Sequence, residues 1–188
     1  MRAPGHGSIL AALLCLAAPA GAQGRDDQWS ACGNRKDAYS HDQRRAAFSA
    51  LIESPAESPR NRATAYLNRS LVSHERGEEA ETLADLEQAI RFNPRFAMAF
   101  NNRGHLYAGR GDHALALEDY AAAIQFGPDL ALPLVNRANL YRKLGDDARA
   151  DADLAEAARV RELHGPTYRG QPITRPVPLP LPIRPPLG

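Results

Sequence analysis

The most regular apolar spacing in the chain runs through its middle. Phe100, Gly104 and Tyr107, with Leu106 one position earlier, fall at i, i+4 and i+7 and so line one side of a helix. Ala116, Tyr120, Ala123 and Ile124 do the same a little later. Between them stands Gly111, which ends a helix in the left-handed conformation without a Cβ penalty. Asp112 follows and is expected to cap the next helix through its carboxylate. Pro128 stops the second helix, because it has no amide hydrogen to give. The pattern predicts two short antiparallel helices joined by a tight turn.

That unit recurs. Asn68-Arg69, Asn102-Arg103 and Asn136-Arg137 are each 34 residues from the next. Gly77, Gly111 and Gly145 keep the step, as do Asp85, Asp119 and Asp153, and Ala89, Ala123 and Ala157. A fixed period of this size marks an array whose units bury their apolar faces on one another. Small residues such as Gly104 and Ala116 let paired helices approach, with Phe100, Tyr107 and Tyr120 filling the space beside them.

The set Phe100, Gly104, Tyr107, Gly111, Ala116, Tyr120, Ala123 and Pro128 resembles the tetratricopeptide repeat. The likeness covers residues 63–164 and departs from the family pattern at Ser70, Ser73, Thr82 and Glu162. It implies an all-α, right-handed α-solenoid of three helix pairs, at 63–96, 97–130 and 131–164. Residues 23–62 are expected to form an N-terminal helical cap. Within it, Asp42–Ser54 gives one helix with Phe48, Leu51 and Ile52 on one face, and Trp29–Lys36 a shorter partner. Glu162 stands where a closing proline belongs, so the last helix should run to about Leu163. The proline-rich segment 165–188, with eight prolines, favours extended or disordered chain.

The amino terminus reads as a secretory leader, 1–22. Arg2 precedes the ten apolar residues Ile9–Ala18, a run too short to span a bilayer, and Ala20-Gly21-Ala22 suits cleavage before Gln23. The expected location is therefore periplasmic or secreted, with no stable membrane span. Cleavage would leave Cys32 as the one thiol, without an intramolecular partner. It would also leave 22 basic against 22 acidic side chains, a balance that argues against nucleic acid as a partner.

Candidate chemistry is sparse. The histidines lack metal-ligand spacing, although His74 and His105 are placed to approach each other across neighbouring first helices. Phosphate-binding and nucleophile-elbow motifs are missing, so neither an enzyme nor a cofactor is expected. The resemblance instead implies a concave groove lined by first helices and open to a protein or peptide. Its expected positions are Leu67, Asn68, Leu71, Met98, Asn101, Asn102, His105, Val135, Asn136, Asn139 and Arg142. Asn68, Asn102 and Asn136 have two readings. They form a ladder for an extended peptide's backbone, or they bond neighbouring helices and set the superhelical pitch. Arg69, Arg103 and Arg137 are expected to pair with Asp85, Asp119 and Asp153, sixteen residues on, within a repeat or across a junction. The function to expect is an exported scaffold that binds a segment of another envelope protein; the alternative is a structural subunit that associates through its terminal helices.

Overall fold

The computed structural model describes residues 40–164, which form seven α-helices and no strand. They are α1 (His41–Glu53), α2 (Pro59–Glu75), α3 (Glu79–Phe92), α4 (Ala97–Arg110), α5 (His113–Phe126), α6 (Ala131–Lys143) and α7 (Asp147–His164). The expected leader, the Trp29–Lys36 segment with Cys32, and the proline-rich tail all lie outside the described residues.

Local chemistry sets the ends of these helices. Ser40 begins α1 with a reciprocal capping box, its hydroxyl accepting from the Gln43 amide while the Gln43 side chain accepts from the Ser40 amide. Ser58 caps α2 in the same manner, ahead of Pro59. Gly77, Gly111 and Gly145 have φ of 73°, 90° and 80°, the left-handed conformation that closes α2, α4 and α6. At each turn the amide after the glycine reaches back to a carbonyl in the last helical turn: Glu78 to Ser73, Asp112 to Tyr107 and Asp146 to Tyr141, at 2.9–3.0 Å. Asp112 does not cap α5 with its side chain, contrary to the sequence expectation. In the matching turn Asp146 does accept the Arg149 amide, at 3.0 Å, and its carboxylate also holds the Arg149 guanidinium. No basic side chain stands three residues after Asp112, where Leu115 occupies the place of Arg149.

Each first helix packs closely on the second helix that follows it. Gly104 faces Tyr120, which is 1% exposed, and Ala116, which is fully buried. A Cβ on Gly104 would come within 3.0 Å of the tyrosine ring and 3.1 Å of the Ala116 carbonyl oxygen, so only glycine fits there without a shift. At the matching positions of the other pairs, Ser70 and Ala138 stand with Leu86 and Leu154 rather than an aromatic residue. Aromatic contacts close the far end of two pairs: Tyr66 stacks on Phe92 at 5.6 Å between ring centres, and Phe100 lies 5.5 Å from Phe126.

The arginine–aspartate pairs all form, and all within one helix pair. The Nε and Nη2 of Arg69, Arg103 and Arg137 donate to the two carboxylate oxygens of Asp85, Asp119 and Asp153 at 2.7–2.9 Å. Each guanidinium also lies against an aromatic ring: Arg69 over Tyr66, Arg103 over Phe100 and Tyr107, and Arg137 over Tyr141. The contact with the aspartate, by hydrogen bond first, raises each arginine's pKa further above its ordinary value against the cost of burial.

α1 packs against α2. Phe48 and Leu51 pack on Ala65 and Val72 of α2. Charged contacts tie the rim, with Arg44 bonded to Glu75, Arg45 to Glu78, and Arg76 to Asp42 at 2.9 Å.

Candidate ligand-binding face

Helices α2, α4 and α6 follow one another as first helices, and the residues expected to line a groove all lie on them. The structure divides those residues into two groups. Leu67, Asn68, Met98, Asn101, Asn102 and Asn136 are at most 9% exposed. Leu71, His105 and Val135 are half-buried, while Asn139 and Arg142 are exposed.

Apolar packing accounts for part of the first group. Leu67, Met98 and Leu132, one from each first helix, join Leu86 and Ala89 of α3 in a single cluster. Hydrogen bonding accounts for the rest. Asn101, fully buried, donates from Nδ2 to Asn102 Oδ1 at 3.1 Å and accepts at Oδ1 from Asn136 Nδ2 at 2.9 Å. This chain of three amides joins α4 to α6 and supplies polar partners that a buried asparagine needs. Of the three repeating asparagines, Asn136 bonds to a neighbouring first helix, while Asn102 bonds within its own helix to Asn101. The residue that links them, Asn101, is not part of the repeat, since Leu67 and Val135 hold its place on α2 and α6. Without an equivalent of Asn101 on α2, Asn68 keeps a buried Oδ1 that has no hydrogen-bond partner among the described residues.

An open pocket lies between α2 and α4, bounded by α3. Leu71 and His74 line one side, His105 and Asn102 the other, and Thr82 and Leu86 the base. His74 and His105 meet edge to face, 6.4 Å between ring centres with planes at 78°. Burial, and after it the neighbouring His74, holds His105 below the ordinary histidine pKa, so it is neutral at pH 7. Among the described residues no group of three or more acidic, histidine or cysteine side chains is arranged to hold a metal ion.

Farther along, the face becomes cationic. Arg142 makes an exposed ion pair with Asp151 at 3.2 Å, and Lys143 makes none among the described residues. One residue that lines the pocket, His74, is considered in the sequence only as a partner for His105.

Stacked helical hairpins with a continuous face of first helices define the class: this is an α-solenoid. Models of the tetratricopeptide repeat match residues 98–129 and 134–167, and the chain is a tetratricopeptide-repeat protein. No curated protein matches it by sequence. Among solved structures, two of MamA superpose with TM-scores of 0.63 and 0.62 at 20% and 19% identity. The first covers 84% of this chain and 88% of that one, the second 88% and 87%. YrrB, described as a tetratricopeptide-repeat protein with an unusual peptide-binding site, superposes with a TM-score of 0.55 at 17% identity over 76% of this chain and 69% of its own. At such identities the likeness is one of fold. Among the described residues no helix is long and apolar enough to cross a membrane.

Proposed function

We propose that this protein is an interaction scaffold that binds an extended peptide or helix of another protein on the face formed by α2, α4 and α6. The reading rests above all on the small open pocket between α2 and α4, which lies on the same run of first helices as the accessible Leu71, His105, Asn139 and Arg142. A preformed surface of this kind costs little ordering on binding, so apolar contacts and hydrogen bonds translate more fully into affinity. The peptide-binding site described for YrrB supports a peptide as ligand by analogy of fold. The leader-like amino terminus supports a partner in the cell envelope or outside the cell.

Site-specific photocrosslinking of the full chain in its own host tests this. A crosslinking residue at Leu71 or Asn139 should capture a partner protein, and one at the exposed Ala121 of α5 should not. Equal capture from Ala121 would remove the first-helix face as the binding surface. Crosslinks only to a second copy of the chain would replace the scaffold by a self-associating subunit.

A further inference from the structure

Every polar side chain that lines the pocket between α2 and α4, apart from its two histidines, already has a hydrogen bond within the fold. Ser70 donates its hydroxyl to the Leu67 carbonyl at 2.6 Å, and Thr82 donates to the Glu78 carbonyl at 2.7 Å. Asn102 accepts from Asn101. The other walls are Leu71, Leu86 and Leu106, with the imidazoles of His74 and His105. A side chain that enters meets hydrocarbon and two titratable rings, which suits an apolar occupant.

Those rings carry a charge that varies with pH. They come from neighbouring first helices and meet edge to face, with His74 exposed and His105 half-buried. From α3 the pocket receives Thr82 and Leu86, neither of them charged. Carboxylates on the helices around α4 are held elsewhere: Glu75 by Arg44 and His41, Glu79 by Arg110, Asp85 by Arg69 and Asp119 by Arg103. The charged side chains of α6 are Arg137, Arg142 and Lys143, all cationic. No carboxylate therefore offsets a proton on His105, and the one ionisable neighbour that acts on it, His74, repels.

An apolar side chain that fills the pocket strips the remaining water from His105. A neutral ring tolerates this, whereas an imidazolium loses hydration that nothing in the pocket replaces. We propose that the His74–His105 pair makes this pocket a pH-gated socket, which takes an apolar side chain of the partner segment while His105 is neutral and releases it when His105 is protonated. The inference rests on the scaffold reading above and adds its regulation. Occupancy lowers the His105 pKa further below its already depressed position. Affinity is thus complete above about pH 6.5 and falls as pH drops through the pKa of the free protein, with one proton taken up for each ligand released.

The probe is a dodecapeptide selected from a random phage library against the full chain at about pH 7.5, chosen because Leu71→Glu abolishes its binding. It is remade with blocked ends and without Asp, Glu or His, so that it does not itself titrate. Fluorescence anisotropy should give a dissociation constant that rises below pH 6.5, approaching about tenfold per pH unit for one proton, while far-UV circular dichroism shows the helices intact. His105→Phe keeps an aromatic ring that cannot take a proton, and should bind with no pH dependence. His74→Gln should keep the dependence and move it to higher pH, because the ring that repels the proton is gone. NMR titration of the His105 ring should show its midpoint falling when the peptide is added. A dissociation constant that stays flat, an equal rise in His105→Phe, or an unmoved His105 midpoint would overturn the gate and leave the scaffold reading in place. Failure to select any peptide that depends on Leu71 would bring down both.

Discussion

Replacing Gly104 by alanine should destabilise this protein, and should stabilise it once Tyr120 has become leucine. Alanine improves the intrinsic helix preference of α4 by about 1 kcal/mol. Against that, the new methyl would lie 3.0 Å from two ring carbons of Tyr120 and 3.1 Å from the Ala116 carbonyl oxygen. The ring has little room to retreat at 1% exposure, and Ala116 is fully buried on the backbone side. Overpacking of this kind costs about 1–3 kcal/mol, so the net loss is about 1 kcal/mol and the thermal midpoint falls by about 2–4 °C. The other helix pairs show the remedy, since Ser70 and Ala138 stand with Leu86 and Leu154. In a Tyr120→Leu background the clash with the ring is gone and the helix gain remains, so adding Gly104→Ala should raise stability by about 1 kcal/mol. The coupling between the two changes is then about 2 kcal/mol, well outside additivity. Urea titration of the four proteins, followed by far-UV circular dichroism, reads all of these values. Stabilisation by Gly104→Ala in the otherwise unaltered chain would refute the reasoning, because it would show that the helices separate freely at their closest point.

Four other outcomes follow from the contacts. Arg103→Gln should cost about 2–4 kcal/mol in urea unfolding, because it strands a carboxylate that is 7% exposed. Asp119→Asn should cost less, since the Arg103 side chain is 21% exposed and can turn to water. Asn101→Ala should cost about 1–3 kcal/mol, by leaving Asn102 and Asn136 without the amide that joins them; thermal melting measures it, and an unaltered midpoint would show that the asparagine chain holds nothing. His105 should give a pH dependence. Its folded pKa lies below the 6.5 of the unfolded chain, so its stabilising contribution is complete above about 6.5 and is lost as pH falls through that value toward the folded pKa. Between pH 7.5 and 5.5 the unaltered chain should therefore lose more stability than His105→Gln, as read by parallel thermal melts.

Much of the fold was legible because one physical constraint repeats. Close packing of two helices needs a small residue opposite a large one, and a left-handed glycine must end the first helix of each pair; both recur every 34 residues. The arginine–aspartate pairs were legible for the same reason, because sixteen residues bring α2 back beside α3 at a constant height. The asparagines show where such reasoning stops. Repetition marks Asn68, Asn102 and Asn136 as equivalent, yet their bonding depends on Asn101, which has no counterpart in the other pairs. A periodic reading passes over the residue that breaks the period. Asp112 is a second case: its sequence suits a cap, but capping at the matching turn draws on Arg149, which Asp112 lacks. The candidate ligand face was only half legible, since helical spacing shows which side a residue occupies and not how deeply its neighbours cover it. Leu67 and Leu71 lie four residues apart on one helix, and only Leu71 borders the pocket.

The rigid brackets of this molecule all run inside a hairpin. Arg69, Arg103 and Arg137 fasten a first helix to its own second helix, whereas hairpin meets hairpin through apolar side chains, one exposed ion pair from Arg110 to Glu79, and a single thread of amides from α4 to α6. The array is accordingly stiff in its rungs and compliant between them. Tension applied along the stack would part it at the seams, hairpin by hairpin, with the α2–α4 seam, where Asn68 has no amide to hold, yielding before the one that Asn101 laces.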